Sequence, residues 1–563
     1  MRRTVSIGFA AALIAAFGVF MAPAANAKVL LVGTYHGIKG QYKTIEVAVK
    51  AAKRGDWILV APGDYKTTKS LTAYGAGGDF PAGVLITQPD VTLRGMNRNT
   101  VIVDGTRRGP ACNDRAKDQN FGPKAKGGPA GLNGIEIWKA DNVKVENLTA
   151  CNFLGGSGGD GGTGNEIWWN GGAESGKIGG WGYLGEYLNA TSTFFPSNGT
   201  ESGFEKANKV AAEYGIFSSN WDGGTWSNTY ASNQNDSGYY IGACQQQCNQ
   251  TIDNGWGEYD ALGYSGSNSG GSLVVENSKF DNNQDGFDTN SQLGDNPPPQ
   301  NGECPNNRVS PITHTRSCWV FEHNDVYDNN NPNVPEAGSA AAGPDGTGMT
   351  ISGGRYDTIM DNTFKDDNAW GVALVPYPSL GGDTPCDGGV RNYSLVGTPS
   401  CTFDEFGDAV LNNKFIDDGS FGHPTNGAIA QVNLLNNDTS TASSAPMNEP
   451  ADCYSGNTFT NTPSAFASLL ETNYPTCDFS KYVPNDLGGN DGDSLNFELE
   501  ALCDTGFTLS GVPHCPTGAY PRANPALVKN GLHRLPPASK LPTMANPCKG
   551  VPTNPWCSGS KKT

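Results

Sequence analysis

Seven segments of the chain open on glycine and continue with apolar residues at every second position: GIEIW from Gly134, GIFSS from Gly215, GYYIG from Gly238, GYSGS from Gly263, GFDTN from Gly286, GMTIS from Gly348 and GVALV from Gly371. Gly215, Gly238, Gly263 and Gly286 are 23, 25 and 23 residues apart, and Gly348 and Gly371 are again 23 apart. A second pattern interleaves with the first, close to V-x-N-x-x-F-x-[DN]-N: VENLTACNF from Val145, VENSKFDNN from Val275, MDNTFKDDN from Met360 and LNNKFIDDG from Leu411. A unit of this length cannot bury an apolar face alone, so successive units must stack and share one core. Short alternating strands with Gly and Asn at the corners, residues that tolerate φ > 0, describe an all-β solenoid, a right-handed parallel β-helix with one coil per unit. A β-propeller would need about 40 residues per blade. Aligning the second pattern stacks Asn147, Asn277, Asn362 and Asn413 at one corner.

The solenoid needs a closed first coil, because an open end exposes strand edges. Residues 41–65 read QYKTIEVAVKAAKRGDWILVAPGDY, with Ile45, Ala48, Val49 and Ala52 at helical spacing before a strand. That spacing predicts a capping helix. The stretch resembles the opening of pectin-lyase-like β-helix proteins, among them pectin methylesterases and polysaccharide lyases, and with the coil pattern the resemblance covers most of residues 28–470. The β-helix is therefore read over 28–480, with insertions at 154–213, 292–317 and 379–403. Residues 481–563 are Pro-rich and carry four of the cysteines, and are expected to pack on the last coils.

Residues 1–27 combine Arg2 and Arg3, an apolar run and a small-x-small end at Ala25–Ala27, the pattern of a secretory signal. Its removal takes away two arginines and no acid, moving the formal charge from −18 to −20. That balance disfavours nucleic acid. No later segment is apolar enough to span a membrane, so the mature chain is expected to be extracellular and monomeric. All 14 cysteines follow residue 27, and an even count in an exported chain reads as disulfides. Near-in-sequence residues meet in stacked coils, which pairs Cys304 with Cys318 and Cys386 with Cys401.

The chemistry concentrates in NNQDGFDTNSQ, residues 282–292. If Phe287 and Thr289 point inward, Asp288 points outward, in a row with Tyr240 and Ser265 one coil apart, about 4.8 Å each. Asp285 falls at the preceding corner, as do Asp236 and Asp260 in earlier coils. One reading is a carboxylate cluster, Asp260, Asp285 and Asp288, holding Ca²⁺ through oxygen ligands, with Asp288 acting beside a bound sugar. The other is corner architecture, since Asp and Asn satisfy turns through side-chain-to-backbone hydrogen bonds.

DGFDTN is similar to the acid-Pro-His motif of mannuronan C5-epimerases. Asp288 matches the acid, while Thr289 and Asn290 replace the Pro and His. The resemblance implies a uronate polysaccharide lyase or epimerase; a base would come from His314 or Arg316. Trp221 and Trp226, flanking a Gly-Gly turn, together with Tyr240 and Tyr264, are candidate sugar-stacking residues. The competing function is a non-catalytic surface or matrix protein.

Overall fold

The computed structural model describes residues 27–67, 71–73, 80–125, 128–156, 162–172, 177–194, 211–244, 248–293, 300–335, 345–380, 386–393, 399–421, 426–431, 452–462 and 541–558. The signal-like segment 1–26 and residues 463–540 lie outside them.

The chain winds as a right-handed parallel β-helix, the hand that parallel crossovers adopt. Most coils contribute one strand to an eleven-stranded face sheet and two to a ribbon of 21 strands, while in Val143–Cys151 and Tyr183–Thr191 the two ribbon strands are continuous. In one coil the face strand Leu262–Ser267 is followed by the ribbon strands Leu273–Glu276 and Lys279–Asp281, and Asp285–Asn290 then begins the next turn. The bends between these strands fall on Asn268, Asn277 and Asn282, at φ of 49°, 53° and 57°. Asparagine tolerates this left-handed region because its short amide bonds locally.

The repeating glycines serve a different purpose from the one expected. They are not the positive-φ corners. A Cβ on Gly286 would lie 2.4 Å from the Gly348 carbonyl oxygen, and one on Gly263 would lie 2.5 Å from that of Gly286. Successive coils approach too closely there for any side chain.

Between those glycines and the bends, the inward positions stack Ile135, Ile167, Ile216, Tyr239, Tyr264, Phe287, Met349, Val372 and Ile429 in register. All belong to one continuous core. The capping helix occupies Ile45–Ala51, with Thr44 as N-cap and Ile45, Ala48 and Val49 buried against the first coils.

Asparagine does form a ladder at a ribbon corner, and two of its four predicted members, Asn362 and Asn413, belong to it, whereas Asn147 and Asn277 do not. Backbone N–H groups of Ser278, Asn324, Asn362 and Asn413 donate to the side-chain oxygens of Asn324, Asn362, Asn413 and Asn457, each at 2.8–2.9 Å. Asn277 sits one residue earlier, exposed at the bend, and its rung is Ser278. Asn147 instead donates to the Gly95 carbonyl and accepts from Thr543 and Met544. The alignment slipped by one residue because both the bend and the rung favour asparagine.

Two of the expected insertions hold more structure than loops. Within 154–213, Ile167–Asn170 and Tyr183–Thr191 are regular coil strands, so that stretch contains a coil of its own. Within 379–403, Val390–Tyr393 and Pro399–Phe403 join Tyr377–Leu380 in a three-stranded antiparallel sheet. Disulfides join Cys304 to Cys318 and Cys386 to Cys401, as spacing predicted; Cys112–Cys151, Cys244–Cys248 and Cys548–Cys557 are also paired.

The C-terminal segment 541–558 does not lie on the last coils. It straps the first ones. Arg94 donates to the carbonyls of Pro547 and Lys549, Arg98 to that of Pro542, and Asn99 to that of Leu541. Trp556 is buried with Leu31, Leu59, Ala61 and Met96, and its indole N–H donates to the Ile38 carbonyl.

Candidate functional site

Alternation on the face sheet sends every second side chain outward. The outward row runs in register through Leu85, Glu136, Trp168, Phe217, Tyr240, Ser265, Asp288, Thr350, Ala373 and Ala430. It changes character along the axis. Trp168, Phe217 and Tyr240, with Tyr214, form a buried aromatic cluster in which Trp168 stacks on Phe217 at 4.8 Å. Beyond Tyr240 the row turns polar at Ser265, Asp288 and Thr350, and then small and apolar.

Asp288 stands at the centre of the polar stretch, half-buried. Asn290 Nδ2 donates to its Oδ2 at 2.7 Å, and Ser352 Oγ donates to its Oδ1 at 3.4 Å. Asn290 is itself oriented by Gln292, whose Nε2 donates to Asn290 Oδ1 and to Ser267 Oγ. Burial pushes the Asp288 carboxyl up to about 6, against the two hydrogen bonds that favour its charge. The group therefore changes charge near neutral pH. It can accept a proton or a hydrogen bond from a ligand lying across the row.

A second carboxyl on the same row has no counterpart in the sequence reading. Glu136 lies between the inward Ile135 and Ile137 of the GIEIW segment, fully buried, accepting from Asn170 Nδ2 at 2.9 Å and Asn133 Nδ2 at 3.3 Å. Burial raises it to about 7. Strand alternation alone could have placed it.

The remaining predicted residues do not converge on Asp288. Asp260 is fully buried, its Oδ1 accepting the Gln234 N–H at 2.7 Å and its own N–H donating to Asn283 Oδ1 at 2.9 Å; it is a rung of a second corner ladder. Asp285 is buried at the start of its strand, in register with Leu262. Among the described residues no three His, Cys, Asp or Glu side chains are grouped so as to hold a metal ion. Asp260, Asp285 and Asp288 therefore do not fit a calcium site: two of the three are turned into the interior, and Asp260 is committed to backbone donors.

Trp221 and Trp226 are fully buried rather than exposed. Trp226 packs on Tyr183 at 5.5 Å and Tyr239 at 6.0 Å, and Trp221 Nε1 donates to the Gly182 carbonyl. Tyr264 points inward and stacks on Phe287 at 4.0 Å. Tyr240 does lie on the outward row, but its ring is buried against Tyr214 and Phe217. His314 is at φ 57° in the loop after Asp288, its N–H donating to the Ser310 carbonyl. Arg316 pairs with Glu303 and lies over the Tyr356 ring at 5.5 Å. Neither is among the described partners of Asp288.

No family model matches the chain, and no curated protein matches it in sequence. Some solved structures are similar to it over much of their length. The A-module of the Azotobacter vinelandii mannuronan C-5 epimerase AlgE4 is 13% identical, with 74% of this chain and 92% of that one covered at a TM-score of 0.41. An alginate lyase from a Paenibacillus strain is 13% identical, covering 72% and 97% at 0.35. The pectate lyase Pel9A is 12% identical, covering 81% and 84% at 0.34. The parallel β-helix itself rests on the pairing of strands between successive coils. No helix among the described residues is long and apolar enough to cross a membrane.

Proposed function

We propose that this chain is an exported protein that binds a polysaccharide across the outer face of its eleven-stranded sheet, and acts on it through Asp288. The observation that carries this reading is the Asp288 carboxyl. It faces outward in the middle of the coil row, amide and hydroxyl groups hold it from both sides, and burial lifts it to about 6. A group so placed is ionised at neutral pH, close enough to its titration to take up a proton readily. Five disulfides among the described residues support an oxidising compartment.

The finer reading is a uronate lyase or epimerase. Asp288 would take the proton from the carbon bearing the sugar carboxylate. In a lyase the electrons left behind form the C4–C5 double bond as the glycosidic oxygen departs; in an epimerase a proton returns on the opposite face. The described residues around Asp288 provide no set of carboxylates for a calcium ion, so no step is assigned to one.

A non-catalytic binding protein is the second reading. It is favoured by one observation: among the described partners of Asp288 there is an amide and a hydroxyl, and no cation to stabilise a developing charge.

One experiment separates them. Purified protein is screened on uronate-containing polysaccharides for unsaturated products by ultraviolet absorbance, with binding measured in parallel. Product formation abolished in Asp288→Asn supports the enzyme. Binding without product supports the matrix reading. Neither binding nor product rejects both.

A further inference from the structure

Each corner ladder passes a backbone N–H from one coil to a side-chain oxygen on the next, and an amide is the natural rung because it is neutral and can donate as well as accept. The ladder through Asn324, Asn362, Asn413 and Asn457 follows that rule, and each side-chain Nδ2 from Asn362 onward donates to a carbonyl of the preceding coil. In the later coils two other ladders break it. At one corner the rungs run Asn283, Asn329, Asp367 and Asp418, with the Asp367 N–H donating to Asp418 Oδ1 at 3.0 Å. At the other, the Asp357 N–H donates to Asp408 Oδ1 at 2.8 Å and the Asp408 N–H to Asp452 Oδ1 at 2.9 Å. All five carboxyls are buried, one coil apart within each ladder.

Buried charge needs a partner. Among the described residues, the titratable groups facing the Asp357 ladder are Glu405, Asp404, Tyr264 and Arg355. Arg355 donates to the carbonyls of Asp404 and Gly388, and its charge favours the ionised forms of Asp404 and Glu405, neither of which is a rung. Among the described residues, Asp328, Asp366 and Asp417 face the Asp367 ladder, and Lys365 pairs with Asp366. No described group of these acids could hold a metal ion. Asp357 Oδ1, Asp367 Oδ2 and Asp408 Oδ2 are buried with no hydrogen-bond partner, the position a carboxyl proton would occupy.

We propose that the two acidic ladders form a proton-loaded zipper: their rungs carry protons in the folded protein, and the coils from residue 357 onward loosen when alkaline conditions remove them. Coils indexed by amide rungs have no such dependence. Asp260 is an isolated acid rung between Gln234 and Asn283, with no carboxyl above or below it.

Desolvation raises every one of these carboxyls, and the neighbouring acids push Asp357, Asp367, Asp408 and Asp418 further up. A carboxyl whose folded pKa lies above its unfolded one binds more protons folded than unfolded. Its contribution to stability is therefore complete below the ordinary carboxylate range and is lost as pH rises through the folded value.

The test uses the full chain. Melting temperature and protease cut sites are compared at pH 5 and pH 8.5 for the parent, Asp408→Asn, Asp418→Asn and Asn362→Asp. The parent is expected to melt lower at pH 8.5, with new cuts after residue 357. Either Asp→Asn variant should recover about 2 °C or more of that loss at pH 8.5 while melting like the parent at pH 5. Asn362→Asp, which puts an acid into the amide ladder, should add a loss at pH 8.5 alone. If Asp408→Asn does not fold, Asp418→Asn on the other ladder and Asn362→Asp carry the decision. A parent that melts alike at both pH values, Asn variants that lose stability at pH 8.5, or alkaline cuts confined to the early coils would overturn the proposal.

Discussion

Replacing Asp288 with asparagine should separate a functional carboxyl from an architectural one. In the folded protein burial holds the group at about 6, compared with an ordinary 3.8. The shift is roughly two units at 1.36 kcal/mol each, so the ionised side chain costs the native state up to about 3 kcal/mol. The sign follows from linkage. Between pH 4 and 6 the folded state holds more proton than the unfolded one, so stability falls across that window and the full cost stands above it. Asparagine removes the charge and keeps an oxygen for the Asn290 donor. Asp288→Asn should therefore match the parent in denaturant midpoint at pH 3.5 and exceed it at pH 7.5, by as much as about 3 kcal/mol. Turnover or polysaccharide binding should be lost in the same variant. In the parent, kcat/KM should rise with pH through about 6, because a proton acceptor must be ionised. Paired denaturant titrations and a rate assay at the two pH values suffice. A variant equally destabilised at both, with unchanged specific activity, would refute the reasoning and leave Asp288 as an architectural acceptor.

Further outcomes are expected from the framework itself. Phe280→Ala should cost about 3–5 kcal/mol in chemical denaturation, since its ring is buried against Tyr239, Phe287 and Phe321. Asn362→Leu should cost about 1–3 kcal/mol for each buried partner it strands, whereas Asn277→Gly, at an exposed bend, should stay within about 0.5 kcal/mol of the parent in the same assay. Trp556→Ala should cost about 3–5 kcal/mol and open the first coils to protease. Peptide mapping under non-reducing conditions should recover Cys304 linked to Cys318 and Cys386 linked to Cys401.

The solenoid was legible because its glycines and apolar positions repeat at the coil length, and that period placed Phe287 inward and Asp288 outward. The same alternation puts Tyr264 beside Phe287, one residue after its coil glycine, so its assignment to a sugar surface conflicted with the register. Trp221 and Trp226 were harder. They follow bends at Asn220 and Gly223–Gly224, and a bend resets which parity faces inward. The bend and the rung at each ribbon corner both accept asparagine, which hid the one-residue difference between Asn277 and its aligned partners. Carboxyl rungs were invisible for a related reason: at a corner, aspartate reads as turn chemistry whether it meets water or another carboxyl. The docking of residues 541–558 could not be inferred from any period, because Arg94 and Lys549 are 455 residues apart.

That strap turns a rod with two distinct poles into something closer to a closed loop. Residues 28–38 and 541–558 meet on the first coils, while the strands around Cys453–Thr460 stand at the far end. A load applied between Lys28 and Ser558 would bear on the Trp556 pocket and the Arg94 and Arg98 carbonyl contacts and would bypass the stack of coils. Any partner domain fused after residue 558 would leave from the pole that carries the capping helix. The outer face with Asp288 runs lengthwise between that pole and the far strands.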